Sequence, residues 1–351
     1  MLTQVQFRLP DTLAGWPWPR AINPYHDEVK AECEKWVHSF NALGPKSQVA
    51  FDQCNICLLG SLSNPHLDRE SLRTACEVLI LSFLFDEFTD RVNSDQAREY
   101  GDIVMDALRN PHKPRPKGEC ILGEIFRQFW ERGIRTMSTI VQERFIKEFK
   151  DFTDSVVIEG IDRETSRIRT IEEYLKLRRF TVGIWPNFVA LQFGMKGLPD
   201  EVVLHPTVVK LSVLLNDAVL LDNDLLSYNR EQAAGEGFHN IITVVMAELK
   251  VDLDGALAWL EKRRAQIAAD VIAGWDTLPE WDEDVREDAR TYLQGMAGWV
   301  RSSYTWQFES ERYFGKHGRE IQEHRMVTLL PKTRNRAPCA NGPDNLADLG
   351  E

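Results

Sequence analysis

Residues 206–231 read PTVVKLSVLLNDAVLLDNDLLSYNRE, and this stretch decides the fold. Residues 208–222 within it are apolar on nearly every side, which is typical of a helix buried in a protein core. Outward from this stretch, helical spacing of apolar residues continues through most of the chain. Sustained alternation of period two, a βαβ rhythm and an internal repeat are all missing from the sequence. The sequence therefore predicts an all-α fold.

The same periodicity places the individual helices and the domain limits. We predict helices at 24–40, 47–62, 67–91, 95–109, 119–133, 136–159, 171–193, 206–230, 239–249, 253–275 and 281–314. No Gly-, Ser- or Pro-rich linker divides them, so we expect one helical body over residues 25–330. Residues 1–24 include WPWPR and are expected to form an ordered, extended arm on that body. Residues 331–351 are rich in Pro, Asn, Gly and Asp, which predicts a disordered tail.

Composition narrows the class of protein. The chain has 351 residues, with 54 Asp and Glu against 42 Lys and Arg, for a formal charge of −12. Nucleic-acid binding is disfavoured, because it needs basic faces to displace phosphate counterions. The longest apolar runs are about eight residues, against roughly 20 for a membrane-spanning helix, and no secretory leader is recognisable. Cys54 and Cys57 form a single CxxC in an apolar run, for which buried packing is the expectation. We expect a cytoplasmic protein without a membrane span.

A polar stripe lies at the end of the buried helix. Asn223, Ser227 and Glu231 fall at i, i+4 and i+8, and each step of four turns only about 40° around a helix, giving a stripe about 12 Å long. Their amide, hydroxyl and carboxylate oxygens suit a hard divalent cation. Such stripes commonly face water, but this one follows an apolar segment, and Asn216 and Val219 continue it inward. We therefore favour a metal-binding stripe facing a core or cavity.

A second acidic group ends an apolar helix at residues 85–90, which read FDEFTD. Asp86 and Asp90 are four residues apart and share one helix face. Unpaired like charges at that spacing destabilise a helix by about 0.2–0.5 kcal/mol, and a divalent metal between them would reverse the sign. The alternative is a solvated helix end with Arg73 and Arg91 nearby.

The two motifs, about 135 residues apart, together resemble the double metal site of class I terpene synthases. The chain is similar to fungal, and more narrowly basidiomycete, sesquiterpene synthases over essentially its whole length. The resemblance rests on FDEFTD, on NDLLSYNRE at 223–231, on LKLRRFTVG at 175–183 and on ESERYFG at 309–315. It implies a single-domain α-helical bundle around a central active-site cavity.

Two features of the resemblance are more specific. Residues 7–37, FRLPDTLAGWPWPRAINPYHDEVKAECEKWV, look like the members that make Δ6-protoilludene and related humulyl-derived skeletons. The acidic motif is DExxD where many relatives carry DDxxD, so that Glu87 stands at the second acidic position. This variant is usual in the fungal group.

The resemblance also implies metal ligands. Asp86 would bind two of three magnesium ions, with Asp90 further from the metal. Asn223, Ser227 and Glu231 would hold the third ion.

Further residues are implied as diphosphate contacts. Arg178 looks like the arginine that senses diphosphate, with Thr181 and Val182 at a break in the helix. Arg179 is the alternative sensor, because the neighbouring arginines leave the register uncertain by one.

A late Arg-Tyr pair and one more arginine complete the implied diphosphate site. Arg312 and Tyr313 resemble the pair whose guanidinium binds the departing diphosphate, and Arg230 stands where the family often has a phosphate-contacting lysine. Guanidinium groups suit phosphate oxygens, and metals and arginines together stabilise the charge that develops on a leaving diphosphate. A structural salt bridge is the alternative reading for each arginine.

The rest of such a site must be apolar, because water would quench a carbocation. Aromatic faces stabilise a cation by roughly 0.5–2 kcal/mol each. Phe83 and Leu79 share the face of Asp86 by helical spacing and are the first candidates to line the pocket. Weaker candidates, for which plain core packing is the commoner role, are Trp185, Trp299 and Trp306.

The resemblance implies a magnesium-dependent sesquiterpene synthase. It would ionise farnesyl diphosphate, release diphosphate, close the chain from carbon 1 to carbon 11 through a humulyl cation, and end by deprotonation to Δ6-protoilludene or a related product. One alternative is a chain-elongating isoprenyl diphosphate synthase, which would need a second aspartate-rich motif where this chain has Asn223, Ser227 and Glu231. Another is a non-catalytic helical binding protein. We expect a monomer or a homodimer.

Overall fold

The computed structural model of the chain describes residues 5–332, and the predicted all-α class is confirmed. In chain order the elements are β1 (Gln6–Arg8), α1 (His26–His38), α2 (Pro45–Gln53), α3 (Ile56–Ser63), α4 (Arg69–Thr89), α5 (Ser94–Arg109), α6 (Ile121–Gly133), α7 (Thr139–Glu164), α8 (Ile171–Thr181), α9 (Ile184–Ala190), α10 (Asp200–Val203), α11 (Pro206–Ala234), α12 (Ile241–Leu249), α13 (Leu253–Trp275), α14 (Glu283–Glu309), α15 (Gly318–His324) and β2 (Met326–Thr328). The predicted tail lies outside the described residues from residue 333 onward.

The described residues form two compact units. The first unit combines residues 5–20, 165–182 and 199–332, and the second combines residues 21–164 and 183–198. The first unit holds α8 and α10–α15, and the second holds α1–α7 and α9. Both units contain fully buried apolar side chains.

Helix α11 is the centre of the first unit. It begins at Pro206, which suits a first helical turn, and it ends at Gly235, whose φ of 84° terminates the helix in the left-handed conformation. It packs against α13 and α14, and Leu215, Leu220 and Leu221 are fully buried. The predicted helix over 206–230 is therefore confirmed, and it runs one turn further because nothing interrupts it before Gly235.

Helix α4 is the corresponding buried helix of the second unit. Asp68 caps its N-terminus by accepting a hydrogen bond from the backbone N–H of Ser71 at 2.9 Å. Val78, Leu81 and Leu84 are fully buried, and α4 packs against α1, α3 and α6. The acidic motif forms its last turn.

Two predicted helices are each broken in two. The helix predicted over 47–62 divides into α2 and α3 at Asn55, whose φ is 45°. The helix predicted over 171–193 divides into α8 and α9 at Gly183, whose φ is 69°. Asn and Gly are the residues that enter the left-handed region at least cost. The second break is the one that the resemblance implied beside Thr181 and Val182.

Two short strands, which the sequence did not predict, pair at one edge of the first unit. β1 and β2 are antiparallel, with Phe7 opposite Val327, and both of these side chains are buried. The backbone N–H of Leu9 extends the pairing by donating to the carbonyl of Arg325 at 2.8 Å. Strands of three residues are too short to carry a readable alternation.

The N-terminal segment of the first unit packs on α13 and α14. The indole of Trp16 is buried and donates to the carbonyl of Ala297 at 3.2 Å. Arg301 donates to the carbonyls of Trp16 and Trp18 at 2.7 and 2.5 Å, and Trp18 lies edge-on to Trp275 at 4.8 Å. The proline-rich segment is therefore held by specific hydrogen bonds and ring contacts.

Two further sequence expectations concern cysteines and membranes. Cys54 and Cys57 are buried thiols, and Sγ of Cys54 donates to the carbonyl of Ala50 at 3.3 Å. Of the helices in residues 5–332, none is long and apolar enough to cross a membrane.

Candidate active site

Three oxygen-bearing side chains follow one face of α11, as their spacing predicts. Ser227 is buried, and Asn223 and Glu231 are half-buried. The hydroxyl of Ser227 donates to the backbone carbonyl of Asp224 at 3.4 Å. The amide of Asn240, at the start of α12, donates to Oε2 of Glu231 at 2.9 Å. The same amide lies 3.5 Å from the hydroxyl of Ser227, so the last two predicted metal ligands share one neighbour.

Arg178 connects α8 to the first predicted ligand. Its Nη2 donates to Oδ1 of Asn223 at 2.7 Å, its Nε donates to Oδ1 of Asp224 at 3.0 Å, and its Nη1 donates to the hydroxyl of Thr181 at 3.3 Å. The side chain is 13% exposed. The guanidinium is therefore held beside the polar stripe by a partly buried ion pair.

Asp224 is the buried anchor of this arrangement. Its Oδ2 accepts a hydrogen bond from the hydroxyl of Tyr174 at 2.5 Å and from the backbone N–H of Ile241 at 3.0 Å, while Arg178 binds the other oxygen. Burial, together with the Asp224 carboxylate, raises the pKa of Tyr174 well above its usual value. Tyr174 therefore stays protonated and remains a hydrogen-bond donor.

Tyr313 joins the same end of the stripe, at Asn223, to two further arginines. Its hydroxyl accepts hydrogen bonds from Nδ2 of Asn223 at 3.2 Å and from Nε of Arg312 at 3.3 Å. The guanidinium of Arg230 lies 5.9 Å from the centre of its ring, and Trp306 meets that ring edge-on at 5.9 Å. The predicted pair Arg312 and Tyr313 therefore lies next to a predicted metal ligand.

Arg179 pairs with Asp217 and not with a residue of the polar stripe. It forms a bidentate ion pair with Asp217, with Nε and Nη2 donating at 2.6 and 2.8 Å. Its backbone carbonyl accepts a hydrogen bond from Asn216 at 2.9 Å. This geometry is that of a structural salt bridge between α8 and α11, whereas Arg178 contacts the polar stripe.

The electrostatics of Glu231 bear on metal binding. Burial, reinforced by the negative charge of Asp224, raises the pKa of Glu231 to about 7, although Asn240, Arg178 and Ser227 oppose the shift. The surrounding protein groups thus compensate its negative charge poorly. A divalent cation would supply that compensation, so the donor set and its charge fit a metal.

The acidic motif lies at the end of α4 in the second unit. Asp86 and Glu87 are half-buried, and Glu87 accepts a hydrogen bond from Arg91 at 2.9 Å. The side chain of Asp90 is 60% exposed and pairs with Arg163 of α7 at 2.6 Å. Arg91 is therefore a neighbour of the motif as the alternative reading expected.

The other arginine in that alternative, Arg73, forms ion pairs nearer the N-terminus of α4. It pairs with Glu77, one turn onward, at 3.0 Å, and with Glu32 of α1 at 3.0 Å. It therefore belongs to a cluster of ion pairs three turns before the acidic motif.

The apolar candidates differ in burial. Leu79 is buried and Phe83 half-buried on α4. Trp299 and Trp306 are each 1% exposed, within α14, and Trp185 is half-buried on α9. Their place as pocket-lining residues stays a prediction.

Within residues 5–332, no group of three or more His, Cys, Asp and Glu side chains is placed to hold a metal ion. The stripe on α11 is not such a group, because two of its three donors are an amide and a hydroxyl. The predicted metal site on α11 consists of Asn223, Ser227 and Glu231, of which only Glu231 carries a charge.

Three residues that sequence reasoning did not single out support the stripe: Tyr174, Asp224 and Asn240. Asp224 lies inside the NDLLSYNRE motif, and its burial beside Arg178 could not be read from spacing. Tyr174 precedes Arg178 by one helical turn, which is the one local sign that the two share a face. Asn240 carries the signature of a helix N-cap, because it stands directly before the apolar run of α12.

Comparisons with known proteins identify the family. Residues 77–270, which include both motifs, match the family model described as terpene synthase family 2, C-terminal metal binding. A Δ6-protoilludene synthase of Stereum hirsutum is 46% identical over 330 residues, which cover 94% of this chain and 89% of that protein. A second Δ6-protoilludene synthase, of Postia placenta, is 44% identical over 324 residues, covering 92% of each chain.

A solved structure extends the comparison to the fold. The linalool/nerolidol synthase of Streptomyces clavuligerus superposes with a TM-score of 0.73 at 20% identity, covering 85% of this chain and 99% of that chain. At that identity the likeness concerns the helical fold alone.

Proposed function

The chain belongs to the terpene synthases of family 2 and is a terpene cyclase, and from that premise we propose that it converts farnesyl diphosphate into a cyclic sesquiterpene with magnesium. Divalent metal use and a prenyl diphosphate substrate follow from the family. The choice of farnesyl diphosphate, the identity of the metal and a number of three ions are our proposals. They are supported by the names of the relatives, which are Δ6-protoilludene and sesquiterpene synthases.

One observation carries the proposal. A continuous chain of contacts runs from Arg312 and Tyr313 through Asn223 to Arg178. These residues were selected from separate parts of the sequence for one task, namely binding a metal and a diphosphate. Salt bridges that served only to stabilise the fold would not need to converge on one oxygen-rich face of α11.

We propose that Asn223, Ser227 and Glu231 hold one magnesium ion. The three donors are hard oxygens, and the charge of Glu231 is poorly compensated by its protein neighbours. Bound magnesium would act as a Lewis acid toward diphosphate oxygens. We propose Asp86 and Asp90 of α4 as further ligands of magnesium.

The arginines would act on the leaving group. Breaking the bond between carbon 1 and the diphosphate oxygen leaves an allylic cation and places the electron pair on diphosphate. Arg178 and Arg312 would bind that developing charge through guanidinium N–H groups, with Arg230 near Tyr313 in support. We propose Arg178 rather than Arg179 as the diphosphate sensor, because Arg178 contacts Asn223 whereas Arg179 is paired with Asp217.

The carbocation requires an environment without water or nucleophiles. We propose that Leu79 and Phe83 line the apolar part of the site, with Trp185, Trp299 and Trp306 as weaker candidates. The cation would close from carbon 1 to carbon 11, rearrange through a humulyl cation and lose a proton. The proposed product is Δ6-protoilludene or a related sesquiterpene.

Incubation of the purified protein with farnesyl diphosphate and magnesium tests this function. We expect a volatile 15-carbon hydrocarbon by gas chromatography with mass spectrometry, together with an equal amount of diphosphate, and no turnover in the presence of a chelator. Adding isopentenyl diphosphate should leave the product unchanged. A longer prenyl diphosphate would instead identify a chain-elongating enzyme. The lack of any product in the presence of magnesium would contradict the proposal.

A further inference from the structure

We infer that Asn240 is a positioning residue that orients Glu231, beside Ser227, for metal binding. The inference rests on the proposed function, which makes these two residues metal ligands. Asn240 is fully buried and lies nine residues beyond Glu231, after the chain has turned back from the end of α11.

The amide nitrogen of Asn240 has two hydrogens and three neighbouring acceptors. It lies 2.7 Å from the carbonyl oxygen of Asp224, 2.9 Å from Oε2 of Glu231 and 3.5 Å from the hydroxyl of Ser227. The two shorter contacts use both hydrogens. One amide therefore spans two turns of α11 and fixes one carboxylate oxygen of Glu231.

The orientation of this amide is set by its other end. Oδ1 of Asn240 caps α12 by accepting the backbone N–H of Ile242 at 2.9 Å. Because that donor requires the oxygen, the nitrogen must face α11. Gly235, with a φ of 84°, ends α11 and begins the turn that returns the chain to this position. The turn and the cap thus place a donor at the metal-ligand pair.

A neutral donor suits this task better than a cation. An arginine paired with Glu231 would neutralise the carboxylate and compete with a metal for it. An amide restricts the rotation of the carboxylate and leaves its full negative charge available. Groups that orient metal ligands in this way are typically worth about 10–100-fold in metal affinity or activity.

The test uses a variant that keeps the capping oxygen of Asn240 and removes its hydrogen-bond donor to Glu231. Asn240→Ser retains an oxygen that can cap α12, but it removes the NH₂ group that reaches Glu231. Asp252→Ser is the matched control, since Asp252 caps α13 by accepting the N–H of Gly255 at 2.9 Å. Affinity for Mn²⁺ is measured in the presence of inorganic diphosphate by electron paramagnetic resonance of the free ion. Thermal denaturation is recorded for the same samples.

We expect Asn240→Ser to bind Mn²⁺ about 10–100-fold more weakly. It should keep a cooperative melting transition, at a lower temperature than Asp252→Ser because a buried amide loses two hydrogen bonds. Wild-type affinity in Asn240→Ser would overturn the inference while leaving the proposed function intact. A wild-type protein that binds no Mn²⁺ with diphosphate would instead overturn the proposed function. If Asn240→Ser does not fold, Asn240→Thr replaces it, and failure of both to fold would overturn the inference by showing that the contacts of Asn240 with α11 serve folding rather than metal binding.

Discussion

The ion pair of Asp222 and Arg264 offers a sharp test of how the metal-ligand helix is held. Nε and Nη2 of Arg264 donate to the two carboxylate oxygens of Asp222 at 2.8 and 2.9 Å, and the two side chains are 1% and 0% exposed. Nη2 also donates to the carbonyl of Thr12 at 3.1 Å, and the guanidinium lies 5.9 Å from the ring centre of Trp16. This pair joins α13 and the N-terminal segment to α11, one residue before Asn223.

The magnitude follows from burial. Arg264→Ala leaves the carboxylate of Asp222 in the core without its cation, which costs about 3–5 kcal/mol of unfolding free energy. The lost hydrogen bond to Thr12 adds about 1 kcal/mol. Replacing both partners, as Asp222→Leu with Arg264→Met, removes the uncompensated charge and should recover most of the loss.

Urea unfolding followed by far-ultraviolet circular dichroism measures the effect in the single and the double variants. We expect the single variant to be several kcal/mol less stable than the double variant. A single variant that loses less than about 1 kcal/mol, the range of an exposed pair, would refute the reasoning. So would a double variant whose loss equals the sum of the losses caused by Asp222→Leu alone and by Arg264→Met alone.

Three further predictions concern the neighbourhood of the site. Tyr174→Phe removes a hydrogen bond to a buried carboxylate and should lower the unfolding free energy by about 1.5–3 kcal/mol, measured by chemical denaturation; an unchanged value would contradict the role of the hydroxyl. Gly183→Ala should lower the unfolding free energy by about 1–2 kcal/mol because of the left-handed backbone at this position. The added Cβ itself would lie at an ordinary 3.6 Å from Phe152. Gly183→Asn should lower the unfolding free energy less, as measured by chemical denaturation of both variants. Arg178→Lys should lower kcat/KM for farnesyl diphosphate roughly 100-fold or more, whereas Arg179→Lys should mainly lower the melting temperature, and the reverse order would reassign the sensor.

Much of the fold could be predicted because its signals are local. The spacing of Asn223, Ser227 and Glu231 along one helix follows from helical geometry, and the structure places them on one face of α11. The pairing of β1 with β2 could not be predicted, because it joins residues more than 300 positions apart through strands of three residues. The break at Asn55 was missed because a single left-handed residue leaves the apolar periodicity on either side intact.

The supporting residues of the site were harder to predict for a related reason. Asp224 binds Tyr174 from 50 residues away and contacts the start of α12 from 17 residues away, so no periodic pattern links them. Arg178 and Arg179 differ by about 100° around a helix, and sequence alone did not decide which of them faces α11's polar stripe. The structure separates them by their partners, since one contacts Asn223 and the other pairs with Asp217.

The most direct test of the account is the turnover of the double variant Asn223→Ala with Ser227→Ala. Diphosphate released from farnesyl diphosphate with magnesium is measured at equal protein concentration, with helicity followed by circular dichroism and with Ser212→Ala, on a more exposed part of α11, as the control. We expect the double variant to keep its helicity and lose turnover, and the control to retain full turnover. Full activity in the double variant would contradict the claim that these oxygens bind the metal that drives ionisation.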